Sequence, residues 1–287
     1  MYNQLYLLFR ACFPNSPVTE AVFNRQLRPD LARIISRSDG DRLVGYSLIH
    51  GNSIALLCVD PSYRNQGIGS RLLELSEKTI AQTGAQAVLL GRGKHYLFQG
   101  VPADEPSAQR FFEHRGYSAR WVSANMALQT AEYDPVRFPI PPAPRGLQLR
   151  LATEEDRPTV LQAVADVHEN WVRYYQSCTD PIILAILDGK IVGFEIVEAD
   201  GGIFGNAECK VGALGCVGVI QSARERGIGR QMVARAIEWL KALGCDTIHL
   251  RYVELVDWYS RLGFRIVSQQ WMGEKEITAN RPASNAE

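Results

Sequence analysis

Apolar residues run from Ile54 to Val59, stop at a polar turn, and return beyond Gly67 at Ile68, Leu72, Leu73 and Ile80, the spacing of an amphipathic helix. The same order comes back later in the chain. There an apolar run closes at Val217–Ile220, a polar turn follows, and Ile228, Met232, Val233, Ile237 and Leu240 resume the helical period. Between each run and its helix stands Arg-x-x-Gly-x-Gly, Arg64 to Gly69 and Arg224 to Gly229, with Ile between the two glycines both times. A repeated strand–turn–helix fixes the architecture before any function is considered, and it divides the chain into two similar halves.

The remaining pattern fills in each half. Helices are predicted over residues 4–13 and 19–27, strands over 32–36 and 42–50 around the turn Ser38-Asp39-Gly40-Asp41, a strand over 53–59, a helix over 67–82 and a buried strand over 87–90. Residues 107–117 read as a helix, followed by two short strands over 118–123 and 124–129. Prolines 135, 139, 141, 142 and 144 mark residues 130–146 as an extended linker. A strand over 147–151 then opens the second half, with a helix from the Thr153 cap to His168 whose first turn Pro158 delays. A short helix over 171–176, a hairpin across Asp188-Gly189, a strand over 210–220, a helix over 227–243 and a strand over 247–252 complete the pattern. The expected domains are thus 1–129, a linker at 130–146, and 147–287, each a mixed α/β fold.

The repeated turn has the chemistry of an anion cradle. Glycines let the backbone turn tightly, and the first amides of the following helix point outward with the positive end of its dipole, which suits a phosphate or pyrophosphate. Two better-known cradles do not fit. A dinucleotide-binding turn needs a third Gly or Ala where Leu72 and Met232 stand, and a P-loop needs Gly-Lys-Ser/Thr where Gly69-Ser70-Arg71 stands.

Arg64 to Gly69 and Arg224 to Gly229 resemble the acyl-CoA loop of the GNAT acetyltransferases, and the resemblance covers nearly the whole chain as two tandem GNAT copies. Tandem members of that family include glucosaminide N-acetyltransferases and mycothiol synthase-like proteins. The resemblance implies acetyl-CoA as cosubstrate, with the first cradle formed by Arg64, Asn65, Gln66, Gly67, Ile68, Gly69 and Ser70 and the second by Arg224, Glu225, Arg226, Gly227, Ile228, Gly229 and Arg230. It further implies that the strand ahead of each cradle splays from its neighbour. Backbone groups at Cys58 and Val59 in the first copy, and at Gly218 and Val219 in the second, would then bind the pantetheine and polarise the thioester. The family's closing helix resembles Ser107–Tyr117 and Val256–Phe264; its tyrosine is present as Tyr259 but replaced by Phe112 in the first copy. The first copy also lacks the opening strand, and the glycine-aromatic insertion at 91–102, similar to one in tandem members, is expected to wall a substrate pocket.

An acetyl transfer needs a base for the ammonium and an acid for the leaving thiolate. Tyr259 is the expected acid, so the second copy is expected to catalyse, while the first binds acetyl-CoA or serves as scaffold. Glu195, Glu208, His168 and Glu169 are candidates for the base, because Gly212 and Ala213 leave the strand feeding the second cradle without a carboxylate at its middle. No Ser or Cys lies in a nucleophile elbow.

Composition narrows the classes further. A formal net charge of zero, with no cluster of Lys and Arg, gives no ground for a nucleic-acid or membrane partner. Five scattered histidines and six cysteines without Cys-x-x-Cys spacing exclude a recognisable metal motif and read as buried free thiols, hence a cytoplasmic protein. The apolar run at the N-terminus lacks a basic start and is interrupted by Arg10, so no signal peptide is expected. The expected acceptor, by the same resemblance, is a small primary amine, an amino sugar first and an amino-thiol conjugate or polyamine next. Two fused copies can imitate a homodimer, so a monomer is expected. The competing class is a non-catalytic acyl-CoA sensor.

Overall fold

A computed structural model of the protein describes residues 2–16, 18–93, 95–202 and 209–277. The chain forms two compact units. The first takes the residues up to Ser123 and the segment from Ser268 onward; the second takes Ala124–Gly202 and the chain as far as Val267. The units therefore divide at Ser123 and Ser268, whereas the proline pattern pointed to 129 and 147.

In the first unit, helices α1 (Tyr2–Cys12) and α2 (Glu20–Leu27) precede strands β1 (Arg33–Asp39), β2 (Arg42–His50) and β3 (Ser53–Val59). Thr19 caps α2 by accepting the Val22 amide at 3.2 Å, as its position predicts. Helix α3 (Ile68–Ala81), strand β4 (Ala87–Leu90), the two-residue β5 (Val101–Pro102) and helix α4 (Pro106–Glu113) follow. Strand β6 (Ser118–Gln129) is a single strand where the sequence pointed to two, and the chain passes into the second unit within it.

The second unit continues with β7 (Gln148–Leu151), α5 (Arg157–Val167), α6 (Val172–Ser177), β8 (Ile182–Leu187), β9 (Lys190–Glu198) and β10 (Val211–Val219). Helix α7 (Ile228–Ala242), strand β11 (Thr247–Val253), helix α8 (Val256–Ser260) and strand β12 (Arg265–Glu276) close the chain. The sequence pattern had stopped at Phe264 and missed β12, which returns to the first unit and pairs antiparallel with β4, Glu274 opposite Leu89. Thr153 and Asp156 form a capping box around a 3-10 turn, so α5 begins only at Arg157, with Pro158 in its first turn.

The strand order is β1-β2-β3-β4-β12 in the first unit and β6-β11-β10-β9-β8-β7 in the second, with antiparallel hairpins and one parallel pair in each. Helix α7 buries Val233, Ile237 and Leu240 against Leu214, Ile248 and Leu250, forming the second core. In the first unit α1 and α2 cover one face of the sheet through Leu5, Phe9, Phe23 and Leu27. The residues read as a linker belong to the second unit. Tyr133 is buried in its core, Thr130 Oγ1 donates to the Cys245 carbonyl at 2.7 Å, and Gln231 Nε2 donates to the Pro141 carbonyl at 2.6 Å.

Part of the insertion turns inward. Leu97 and Phe98 are buried with Phe9, Leu56 and Cys58, and the Phe98 ring centroid lies 5.0 Å from that of Phe13. Burying these two side chains adds apolar area to the first core. Three of the cysteines, Cys12, Cys58 and Cys245, are buried as expected; Cys209 is exposed, and Cys178 and Cys216 are half-buried. Among the described residues no helix is long and apolar enough to cross a membrane.

Candidate active site

Each cradle is built the same way. Gly67 and Gly227 take φ of 82° and 77°, a region open to glycine at no steric cost, and the residues two before them, Asn65 and Glu225, also take positive φ. The first helical bonds run from the Arg71 amide to the Gly67 carbonyl and from the Gln231 amide to the Gly227 carbonyl. The amides of Ile68–Ser70 and Ile228–Arg230 therefore precede the helical ladder, as an anion site requires. The motif arginines have a role that spacing did not reveal. Arg64 Nε donates to the Val59 carbonyl at 3.2 Å and Arg224 Nε to the Val219 carbonyl at 3.0 Å, bracing each turn against the strand before it.

Behind each cradle the sheet splits. The β3–β4 ladder ends at Ile54 opposite Leu90 and the β10–β11 ladder at Leu214 opposite Leu250, the same position in both copies counted from the cradle. Beyond that point the two copies differ. In the first, Cys58 is buried among Leu56, Leu97 and Phe98, Cys12 Sγ donates to the Val59 carbonyl at 3.3 Å, and Leu57 and Val59 are half-buried. In the second, Gly215, Cys216 and Val217 remain partly exposed.

Both strands that border the second split carry a bulge. Gly215 faces Ile196 and Gly218 faces Phe194, so Cys216 and Val217 together oppose Glu195. The β11–β6 register likewise shifts between Leu250 and Val253. Each bulge holds a non-glycine residue at positive φ, Cys216 at 49° and Tyr252 at 58°. Tyr175 of α6, wholly buried, donates its phenol to the Cys216 carbonyl at 2.8 Å and packs edge-on against Phe194. Nothing in the sequence pattern singles out Tyr175, since its partner depends on a bulge that local spacing does not encode.

Glu195 is the unusual group. Its side chain is 0% exposed, and among the described residues neither carboxylate oxygen has a hydrogen-bond partner. Burial pushes its pKa up to about 8. Tyr259 is raised too, first by burial and then by the charges of Glu195 and Cys216, so the acid candidate and one base candidate lie within electrostatic reach of each other. Tyr259 packs edge-on against Trp258 and Phe264, with ring centroids 4.7 Å and 5.9 Å away. The other base candidates are not brought there. His168 is exposed and stacked on Trp171 at 4.9 Å, Glu169 is exposed, and Glu208 lies outside the described residues.

Two matches cover most of the chain: the acetyltransferase (GNAT) family over residues 148–264, and an acetyltransferase (GNAT) domain over residues 32–119. The chain belongs to the GNAT acetyltransferases. This GNAT enzyme is 28% identical over 258 residues to a mycothiol acetyltransferase of Thermobispora bispora, covering 82% of this chain and 81% of that protein. Another, of Acidothermus cellulolyticus, is 26% identical over 277 residues, covering 84% and 79%. Among solved structures, a glucosamine N-acetyltransferase region of a fungal multi-domain GH3 β-N-acetylglucosaminidase superposes with a TM-score of 0.83 at 22% identity. That match covers 95% of this chain and 36% of that longer one. A tandem GNAT protein from the clavulanic acid biosynthesis pathway superposes with a TM-score of 0.71 at 16% identity, covering 98% and 95%; at these identities the likeness speaks for the fold.

Proposed function

We propose that the second unit transfers the acetyl group of acetyl-CoA directly to a small primary amine, an amino sugar or an amino-thiol conjugate. The observation that carries this reading is the buried Glu195, which stands opposite the bulge at Cys216 and Val217 and whose charge reaches Tyr259. Amides 228–230 and the glycine turn would hold the diphosphate, and the backbone of Gly218 and Val219 would line the pantetheine arm. Glu195, as carboxylate, takes the proton of the incoming ammonium, directly or through water, and Tyr259 protonates the thiolate as the C–S bond breaks and the C–N bond forms. A carboxyl group poised near 8 is suited to accept a proton from an amine, which a surface carboxylate is not. Likeness to proteins named mycothiol acetyltransferase over four-fifths of the chain supports an acceptor of the amino-thiol or amino-sugar class.

The first unit is read as the scaffold. It has Ser47 where register places Glu195 and Phe112 where the closing helix places Tyr259. A thiol-release assay with acetyl-CoA against a panel of amines tests the reading. Release with amino sugars or amino-thiols supports it. Tight acetyl-CoA binding with no release from any amine would replace it with a sensor.

A further inference from the structure

A β-bulge with a left-handed cysteine is a strained way to run a strand, and it persists only where neighbouring groups fix it. Cys216 has no side-chain reason to adopt φ of 49°, since only glycine does so freely. Its carbonyl, at a place where the β9–β10 ladder is interrupted, would be a half-buried acceptor outside the ladder unless some group reached it. Tyr175 is that group: its phenol lies 2.8 Å away, and its ring is fully buried and clamped against Phe194, the residue opposite Gly218. The first copy shows the alternative. There the extra residue is Ala55, at the place of Gly215, between the pairs Ile49–Ile54 and Leu48–Leu56; Leu56 and Leu57, at the places of Cys216 and Val217, pair in register with Leu48 and Ser47, and neither takes positive φ.

Resting on the reading of the second split as the acetyl-CoA site, we propose that Tyr175 is a positioning residue for transfer: by holding the Cys216 carbonyl toward α6, it keeps β10 bulged and the split shaped for the pantetheine arm. Because the peptide is planar and trans, fixing that carbonyl also fixes the Val217 amide, which points the opposite way. Without the phenol, residues 216 and 217 lose the contact that favours the left-handed turn. The strand then samples the arrangement of the first copy, in which the extra residue stands one place earlier and residues 216 and 217 return to the ladder without positive φ.

The test compares the wild type with Tyr175→Phe, and with Tyr175→Phe carrying Cys216→Gly, since glycine takes positive φ unaided. Two probes separate the parts of the site: acetyl-CoA, and adenosine 3′,5′-bisphosphate, which reaches the cradle but not the bulge. Tyr175→Phe is expected to weaken acetyl-CoA about tenfold, equivalent to about 1.4 kcal/mol, and to leave the bisphosphate unchanged, with acetyl-CoA affinity recovered in the glycine double variant. Amide hydrogen exchange in the ligand-free protein should quicken across residues 214–219 in Tyr175→Phe and return in the double variant. Equal loss of both ligands, unchanged acetyl-CoA affinity, or no recovery with glycine would overturn the proposal. Should the wild type bind no acetyl-CoA, the functional reading fails on that observation, while unchanged exchange across 214–219 would separately sink the role of Tyr175.

Discussion

The hydroxyls of Ser47 and Ser76 are hydrogen-bonded at 2.8 Å in the first unit, and Ser47 stands at the register position that Glu195 occupies in the second. A serine there is satisfied and neutral, while Glu195 is buried with no hydrogen-bond partner among the described residues. The two copies have kept one skeleton and diverged at the groups proposed to move protons. Phe112→Tyr, restoring the phenol in the first unit, is accordingly expected to leave turnover unchanged within twofold, as measured by thiol release. A clear gain in rate would mean that the first unit is an impaired enzyme and not a scaffold.

Tyr259→Phe removes one oxygen at the second split. Turnover should drop by roughly 10- to 1,000-fold, the range general acid catalysis supplies, with acetyl-CoA affinity held close to wild type by calorimetry. A parallel loss of affinity would show that the phenol binds and does not act as an acid.

Glu195 predicts a pH profile. Its pKa is pushed up to about 8, so the carboxylate that accepts the proton accumulates as pH rises through 8, and kcat/KM should climb on that limb. Glu195→Gln should flatten the limb and lower the plateau by about 100-fold or more, within the range reported for positioned bases. A limb that survives the substitution belongs to the acceptor amine instead.

The same group gives stability a sign. The folded protein binds the Glu195 proton more tightly than the unfolded chain, whose carboxyl titrates at about 4.3. The folded state is therefore favoured at low pH, and that advantage is lost as pH rises from about 4.3 to about 8. Glu195→Gln, neutral throughout, should match wild-type thermal stability near pH 4 and exceed it increasingly toward pH 8.5. A constant difference across the range would mean that Glu195 is not buried as charge.

Packing at the bulge separates two glycines. A Cβ on Gly218 would lie 2.4 Å from the Phe194 ring, whereas one on Gly215 would meet only ordinary contacts at 3.9 Å. Gly218→Ala should cost about 1–3 kcal/mol in chemical denaturation and Gly215→Ala well under that.

The glycine cradles were legible because everything that defines them lies within six consecutive residues, Arg64 to Gly69 and Arg224 to Gly229. Tyr259 was legible by its place in the closing helix. Glu195 could be named only as one of four carboxylate or imidazole candidates, since its burial depends on the pairing of β9 with β8 and with the bulged β10, which its neighbours do not encode. Tyr175 escaped notice for the same reason. The inward turn of Leu97 and Phe98 was missed because a glycine-rich stretch without a period gives no direction for its side chains. Strand β12 was missed because a strand's partner is chosen by the finished sheet, here β4, nearly two hundred positions earlier.

That last pairing has a consequence for synthesis. Strand β4 emerges from the ribosome long before Glu274–Glu276, the residues that pair with it. Until they arrive it presents an open edge, the feature by which nascent chains stick to one another. The half made first is thus the half finished last, and cutting the gene at the proline-rich stretch would leave it with that edge bare for good.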